Sequence, residues 1–204
     1  MTLHPSTGRA RILQTARVLL CSAALLVAAR VPAHAEAVKL SVTQRQELYE
    51  IRGEFDVAAS GAVAWDVLTD YDHIGRFVSA IRASAVARDS AGRIVVQQTA
   101  AAGVFPFRKT VRVRLIVEER DRHTIEFRDT LATDFRDYRG SWRLVADSTH
   151  SHVIYTLEAR PRAAAPHVLA RALMAHDATD LLEEVRVEML RRVQNTRWTP
   201  DNDD

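Results

Sequence analysis

The side chains best suited to acid or base chemistry lie in the middle of the last apolar-patterned segment. His176 and Asp180 are four residues apart, the spacing that brings two side chains to one face of a helix. An imidazole and a carboxylate inside a cavity could orient a ligand carbonyl or exchange a proton with it. The same polar group, which includes Asp177 and Thr179, also fits a helix turn that faces water. Both interpretations stay open at this point.

Other catalytic and metal-binding patterns are missing from the sequence. It contains no Ser/His/Asp arrangement, no glycine-rich phosphate loop and no nucleotide-binding fingerprint. His123, His150, His152 and His167 lack a carboxylate at the spacing of zinc-binding motifs. The sequence therefore predicts neither a metal nor another cofactor.

The first 35 residues have the order of a secretory leader. Three arginines precede an apolar run at residues 18–29, and Ala33 and Ala35 offer the small residues of a cleavage site. The run has 12 residues, whereas a spanning helix needs roughly 20. We expect residues 1–35 to be a cleaved signal peptide and the protein to be exported, either periplasmic or secreted. A leader retained as a membrane anchor is the alternative.

Removal of the leader changes the charge balance of the chain. Four of the 28 Lys and Arg residues lie in the leader and all 26 Asp and Glu residues follow it, which leaves 24 basic against 26 acidic groups. A net charge of −2 argues against nucleic acid as a partner, because its binding needs a concentrated cationic face. The one cysteine, Cys21, also lies in the leader, so the mature chain has no disulfide and no thiol nucleophile.

Apolar periodicity predicts a strand, two short helices, about six further strands and one long helix. The first strand is predicted at residues 47–57, and Ser60 is a suitable N-cap for the first short helix. A second short helix holds Ile74 and Phe77. From there the apolar period is two, most regularly at residues 109–118. The other predicted strands are residues 83–87, 93–100, 124–128, 134–145 and 152–159.

The long helix is predicted to begin near Pro166 and to run for about 30 residues. Neither proline nor glycine occurs again before Pro200. At 1.5 Å per residue, such a helix is about 45 Å long and must cross most of the sheet. Short polar turns between the strands favour an antiparallel meander. The expected α+β packing is a twisted antiparallel sheet that wraps around the C-terminal helix.

Two stretches of the mature chain contain motifs that are similar to those of a known protein family. The first, at residues 55–72, includes Trp65 and the Asp-Tyr-Asp that ends the first helix; the second, at residues 134–144, includes Tyr138 and Trp142. In this order and spacing they resemble the SRPBCC or START-like superfamily, in particular its polyketide cyclase/dehydrase and coenzyme-Q-binding branch. The resemblance covers about residues 49–192 and is more specific for fold than for activity.

The resemblance implies a helix-grip fold, in which a curved antiparallel sheet of about six or seven strands surrounds the C-terminal helix and two short helices follow the first strand. This domain would span residues 36–196, followed by a disordered acidic tail at 197–204. Members of the family bind sterols, lipids, quinones, plant hormones or polyketides in a cavity between sheet and helix, and some cyclise or aromatise the ligand.

The implied cavity would be lined by aromatic and leucine side chains together with one histidine, which otherwise fill an ordinary core. These residues are Trp65, Phe77, Phe105, Phe107, Tyr138, Trp142, Tyr155, Leu169, Leu173, His176 and Leu182. The apolar loop from Gly103 to Phe107 could act as a lid or make a transient membrane contact. A loop folded back onto the sheet is the alternative.

Three functions fit these observations. The first is binding or carriage of an apolar small molecule such as a lipid, quinone, isoprenoid or polyketide-like compound. The second is a cyclase or dehydratase that uses His176, Asp180 or Tyr138 in the same cavity. The third is an envelope interaction module with a filled core. Binding is preferred over catalysis, because no catalytic constellation is evident in the sequence.

Overall fold

Every second side chain of the last strand is buried, the pattern of a strand with one face in the core. The computed structural model describes residues 37–103, 106, 108–163 and 166–198. The strands are β1 (Lys39–Arg45), β2 (Leu48–Val57), β3 (Ile81–Arg88), β4 (Ile94–Ala102), β5 (Lys109–Arg120), β6 (Thr124–Asp129), β7 (Phe135–Ala146) and β8 (Ser151–Pro161). The helical segments are α1 (Gly61–Leu68), one 3₁₀ turn (Ile74–Arg76) and α2 (His167–Trp198).

These strands form one antiparallel sheet in the order β1-β2-β8-β7-β6-β5-β4-β3. The strands from β3 to β8 are neighbours in chain order, and the chain passes from β2 to the far edge through α1. With α2, this arrangement confirms the predicted α+β helix-grip fold. The described part of the sheet has eight strands rather than six or seven, because β1 was not predicted. The apolar pattern of β1 is weak, since Val42 is the one buried residue of this strand.

The segment between β2 and β3 differs in part from its prediction. Ser60 caps α1 as predicted, and its hydroxyl accepts the N–H of Val63 at 3.4 Å. The second predicted helix is only a 3₁₀ turn. Asp72 lies just before this turn, and its carboxylate accepts the N–H of Val86 in edge strand β3 at 2.9 Å. This contact ties the segment to the sheet edge.

The sheet has an inner face, which is turned towards α2, and an outer face on the opposite side. A Cβ atom on Gly53 would lie 2.2 Å from Cδ1 of Leu182, so β2 and α2 are in direct contact at this glycine. Leu182 and Met189 are completely buried, and α2 packs against β1, β2 and α1. The second half of α2 therefore closes the core on this side of the sheet.

An ionic cluster fixes the last turns of α2 to the segment after α1. Glu188 is buried and accepts hydrogen bonds from Arg191 at 2.6 and 2.7 Å and from Arg192 at 2.8 Å. Arg192 also donates to Asp70 at 2.6 Å, and its guanidinium lies 5.8 Å from the ring centre of Phe77. The hydrogen bond from Arg191 lowers the pKa of Glu188 more than burial raises it. The cluster is therefore ionised at neutral pH.

The described residues leave both predicted end segments untested. The leader at residues 1–35 lies outside them and remains a prediction. Helix α2 includes residues 197 and 198, which were predicted to belong to the tail, and residues 199–204 lie outside the described part. Within the described residues, no helix combines the length and apolarity that crossing a bilayer requires.

Candidate functional site

Five aromatic side chains meet on the inner face of β6, β7 and β8 and are called the aromatic cluster below. Trp142 lies opposite Tyr155 in the paired strands, with their ring centres 4.5 Å apart. Phe127 stacks on Tyr155 at 6.4 Å and lies 6.1 Å from Tyr138. Phe135 completes the cluster, 4.7 Å from Tyr138. Ring pairs at these separations attract one another and form a firm apolar wall.

A glycine in β7 leaves room for one ring of the aromatic cluster. Gly140 lies opposite Phe127 in the paired strands. A Cβ atom at this position would lie 2.6 Å from Cζ of Phe127 and 2.1 Å from the carbonyl oxygen of Thr156. Both separations are far below van der Waals contact, so any other residue would displace the ring and the neighbouring strand.

Two phenol hydroxyls are the titratable groups of the aromatic cluster. Burial raises the pKa of Tyr138 to about 12, while a hydrogen bond from Tyr155 opposes the shift and the charges of Asp129 and Asp177 increase it. Burial also raises the pKa of Tyr155 well above its ordinary value. Both phenols are therefore neutral near pH 7 and can donate or accept a hydrogen bond.

The aromatic cluster remains accessible although it lies on the face that α2 covers. Four of its five members are only half-buried, the exception being Tyr155. Leu169, Leu173 and Met174 in the first half of α2 are half-buried as well, in contrast to the completely buried Leu182 further along. The charge of Asp177 in α2 affects the pKa of Tyr138, so the aromatic cluster and the first half of α2 are neighbours. The partly accessible region between them is called the cleft below. Its side chains are mostly apolar with a few polar groups, the composition that small-molecule sites usually have.

Asp177 joins α2 to the end of β4 beside the cleft. Both of its carboxylate oxygens accept the backbone N–H of Gly103, at 3.1 and 2.9 Å. Burial raises the pKa of this carboxyl, and the hydrogen bond from Gly103 opposes the shift. Asp177 therefore brings a partly buried carboxylate into the neighbourhood of Tyr138, whose pKa it affects.

The predicted acid/base pair of α2 lies at the surface. Nε2 of His176 is 3.3 Å from a carboxylate oxygen of Asp180, and each side chain keeps about half of its accessible surface, 48 and 50%. The two residues therefore share a helix face, as their spacing indicates, but this face is exposed to solvent. Tyr138, the third catalytic candidate, points into the aromatic cluster.

The other predicted lining residues fall into three groups. Tyr138, Trp142 and Tyr155 are together in the aromatic cluster, and Leu169 and Leu173 border the cleft. The remaining residues do not border it: Trp65 and Leu182 are buried in the core, Phe77 lies beside Arg192 at the other end of α2, and Phe105 and Phe107 lie outside the described residues.

Several residues of the site, including Met174, are absent from the predicted lining. Phe127 and Phe135 belong to the aromatic cluster, and Asp177 anchors the end of β4. Phe127 follows the inward alternation of β6, a signal that the strand pattern contains. Asp177 gives no such signal, because helix spacing alone does not show which polar residue of a group meets another element.

No metal centre can be built from the part of the chain that the structure describes, since no three His, Cys, Asp or Glu side chains there converge. Two open grooves, of about 530 and 390 Å³, lie on the outer face of the sheet and not in the cleft. The larger groove is lined by charges of both signs, such as Arg139 and Glu158, which are paired at 2.6 Å, and Glu126, which pairs at 2.9 Å with Arg120 outside the lining.

Known structures share this fold at low sequence identity. The Zhui aromatase/cyclase from Streptomyces sp. R1128 is 20% identical, with a TM-score of 0.58 over 72% of this chain and 96% of that one. A STAR-related lipid transfer protein from Xanthomonas axonopodis is 19% identical, with a TM-score of 0.58 over 76% of this chain and 94% of that fragment. A START superfamily protein from Mycobacterium smegmatis is 12% identical, with a TM-score of 0.59 over 70% of this chain and 97% of that one. At these identities the likeness shows the fold alone.

The sequence itself matches a protein family over most of its length. The profile of the family described as "Polyketide cyclase / dehydrase and lipid transport" matches residues 49–194. No curated protein matches the chain. The matched segment begins in β2, ends in the last turns of α2 and contains the whole aromatic cluster. The chain therefore belongs to the polyketide cyclase/dehydrase and lipid transport family.

Proposed function

We propose that this protein binds an apolar small molecule, such as a lipid, quinone, isoprenoid or polyketide-like compound, in the cleft. The observation that carries the proposal is the accessibility of the aromatic cluster on the face that α2 covers. These rings keep more accessible surface than the completely buried Leu182 and Met189. A ligand in the cleft would remove their remaining apolar surface from water, the main source of affinity for such compounds.

The hydroxyls of Tyr138 and Tyr155 supply the polar contacts of the proposed site. They are neutral and belong to the aromatic wall, so they can bond a carbonyl or hydroxyl oxygen of the ligand without the desolvation of a full charge. A molecule with an apolar body and one oxygen function fits this arrangement. A wholly aliphatic ligand would leave the hydroxyls bonded only to each other.

A cyclase or dehydratase acting in the same cleft is the second candidate. The observation in its favour is the neighbourhood of Tyr138 and the partly buried Asp177, since one could bond a ligand carbonyl while the other accepts a proton. Asp177 is already occupied by the N–H of Gly103, which favours binding over chemistry. An envelope interaction module without a ligand is the third candidate, and the accessible cleft weighs against it.

Export to the periplasm or beyond is part of the proposal and depends on residues 1–35. Expression with and without those residues tests it. Cell fractionation should find the full-length product outside the cytoplasm, shortened by a cleavage near Ala35 that intact-mass measurement reveals. A full-length product that stays in the cytoplasm, or keeps its leader in the membrane, would contradict this part.

A blocked cleft tests the binding proposal with a matched control. Ala170 is half-buried beside the cleft and Ala172 is exposed on the other side of α2, so the same change to tryptophan fills the cleft only at residue 170. We expect saturable fluorescence enhancement of N-phenyl-1-naphthylamine by the unaltered protein and by Ala172→Trp, and at least about tenfold weaker binding by Ala170→Trp. Thermal unfolding of all three proteins checks that each is folded.

Two outcomes would contradict binding in the cleft: no saturable enhancement with the unaltered protein, or equal enhancement by both tryptophan variants. Native mass spectrometry of protein purified from the periplasm would identify the class of a co-purifying ligand. Loss of water from an added poly-β-ketone, abolished in Tyr138→Phe, would instead favour the cyclase or dehydratase.

A further inference from the structure

The smaller groove on the outer face differs in chemistry from the rest of that face. It has a volume of about 390 Å³ and lies across β3, β4 and β5. Its described lining includes Arg112 and Arg114 from β5 but no carboxylate. On the β3 side the lining residues Ala83 and Ala85 are small and exposed, which leaves the groove open next to the long arginine side chains.

The two guanidinium groups of this groove form no ion pair with the described residues. Arg114 uses its backbone N–H to bond Asp129 at 2.8 Å, and Arg112 likewise bonds Asp134 at 2.9 Å. Asp134 is itself paired with Lys109 at 2.9 Å, and Arg112 adds only a longer-range attraction that helps to lower the pKa of this carboxyl. Both guanidinium groups therefore remain available to an external anion.

A third arginine extends the cationic surface across the sheet. Arg128 in β6 lies opposite Ile116 of β5, one outward position along from Arg114. It is exposed, and no described carboxylate pairs with it. Arg128 lines the adjoining larger groove, where the other charged lining residues are paired within the described part of the chain. Arg112, Arg114 and Arg128 together form what we call the arginine patch.

An exposed leucine lies at the border of the arginine patch. Leu131 lines the smaller groove and keeps 44% of its surface exposed. It lies in the turn between β6 and β7, where Asp129 accepts its backbone N–H at 3.0 Å. An apolar side chain beside cationic groups is suited to an interface where phosphate groups meet acyl chains.

We propose that the arginine patch and Leu131 form a docking surface for a bilayer that contains anionic phospholipids. Guanidinium groups bind phosphate oxygens through two parallel hydrogen bonds, and the surface potential of anionic lipids attracts further cationic residues. Leu131 inserts between the headgroups. This surface is separate from the cleft on the inner face, so the proposal does not depend on the proposed function.

Charge complementarity and the shape of the surface favour a bilayer over a soluble anion. The groove is open along the sheet rather than closed around a small ligand, and Leu131 projects from a turn at its border. Lys109 and Asp134 hold this turn against the start of β5, next to the β4–β5 connection. Docking would therefore bring the start of β5 and the turn between β6 and β7 to the lipid surface.

Vesicle sedimentation tests the docking surface. The probes are vesicles of phosphatidylcholine alone and vesicles that contain 30–40% phosphatidylglycerol, roughly the charge density at which polybasic segments respond. We expect binding only to the anionic vesicles and a decrease with added salt. Arg112→Gln and Arg114→Gln should each weaken binding about fivefold, and the double variant about thirtyfold. Leu131→Ser should weaken it as well.

Arg143→Gln provides the matched control. Arg143 is an exposed arginine on the outer face of β7, also without an ion pair to the described residues, but it does not line the smaller groove. Its replacement changes the net charge equally and should leave vesicle binding unchanged. Equal losses in Arg143→Gln and Arg114→Gln would overturn the proposal, because net charge alone would then explain binding.

Three further results would also overturn it. These are no binding to anionic vesicles, saturable binding of inorganic phosphate in calorimetry without vesicle binding, and binding of poly-glutamate without vesicle binding. The second would identify a small-anion site and the third an acidic protein partner. Unchanged N-phenyl-1-naphthylamine binding by the arginine variants would show that the cleft is intact, whichever vesicle result is obtained.

Discussion

Both carboxylate oxygens of Asp177 accept one backbone N–H, that of Gly103. Gly103 follows directly after β4, whereas α2 packs mainly against β1, β2 and α1. The contact thus connects α2 to the end of β4, an element outside its main packing partners. The contact also lies beside the cleft, where accessible space would otherwise separate α2 from β4. Asp177 is therefore a structural tie across the proposed ligand site.

Replacement of Asp177 by alanine should release the end of β4. A hydrogen bond to a charged acceptor contributes about 1.5–3 kcal/mol, so the amide proton of Gly103 should exchange with solvent about ten- to a hundredfold faster. Hydrogen exchange followed by NMR measures this directly. Asp180→Asn, which alters an exposed carboxylate on the same helix, should leave the exchange rate unchanged. An unaltered rate in Asp177→Ala would mean that the contact contributes nothing in solution.

Replacement of Gly140 by alanine should destabilise the protein more than the same change at Gly53. The new Cβ at residue 140 meets a backbone carbonyl at 2.1 Å, whereas at residue 53 it meets the end of the Leu182 side chain at 2.2 Å, which can rotate. We expect Gly140→Ala to reduce the free energy of unfolding by about 1–3 kcal/mol, with a smaller loss for Gly53→Ala. Urea unfolding measures both. The opposite order would show that β7 is more adaptable than the helix contact.

Because of the buried ionic cluster, the free energy of unfolding should decrease at acidic pH. The folded-state pKa of Glu188 is lowered, chiefly by Arg191, so its contribution is present above its ordinary pKa of about 4.3 and is lost as pH falls through the folded value. Glu188→Gln should reduce the free energy of unfolding at pH 7 by about 1–3 kcal/mol. The difference from the unaltered protein should shrink as pH falls below about 4.

Glu47→Gln is the control for the acid prediction. Glu47 pairs with Arg136 at 3.0 Å, but both side chains are more than half exposed, so the pair should contribute less than about 1 kcal/mol. Chemical unfolding at several pH values compares the two variants. A pH-independent deficit in Glu188→Gln would mean that the buried carboxylate acts through packing and not through its charge.

The burial of the tyrosines predicts that their phenols ionise at unusually high pH. All four tyrosines, at residues 49, 71, 138 and 155, are buried enough that burial raises the pKa of each phenol. At pH 10, where an ordinary phenol is about half ionised, the folded protein should show little phenolate absorbance and the urea-unfolded protein much more. Phenolate formation near pH 10 in the folded protein would contradict the burial of these residues.

Folding stability should fall over the same alkaline range. Because the folded-state pKa of Tyr138 is raised to about 12, its contribution is present below about pH 10 and is lost as pH rises towards the folded value. Tyr138→Phe should reduce this alkaline loss of stability, which chemical unfolding between pH 9 and 11 can measure.

Much of this fold could be predicted from the sequence because its strands alternate regularly. In β5 and β8, apolar side chains at alternate positions lie in the core. The long α2 contains neither glycine nor proline. β1 escaped prediction because Val42 is its one buried residue, so its role depends on pairing with β2 and not on its own pattern. The second short helix was predicted too long, because the contact from Asp72 to Val86 spans 14 residues and leaves no local pattern.

The site was predictable only in part. Tyr138, Trp142 and Tyr155 lie at inward positions of neighbouring strands, so strand alternation brings them together. Helix periodicity shows that His176 and Asp180 share a face but does not show whether that face meets the sheet or the solvent. The arginine patch has no local signal either, since it depends on which side chains lie beside Arg112, Arg114 and Arg128 once the strands are paired.

The bond from Asp72 to Val86 also affects how copies of the protein behave towards one another. A sheet that does not close on itself ends in strands with free backbone groups, and such edges tend to pair between molecules and start aggregation. β3 is one of the two edges of this sheet, and the Asp72 carboxylate occupies one of its outward N–H groups. A strand from another copy would have to displace this carboxylate to pair there. One acidic residue between a helix and a 3₁₀ turn thereby contributes to colloidal solubility as well as to the fold.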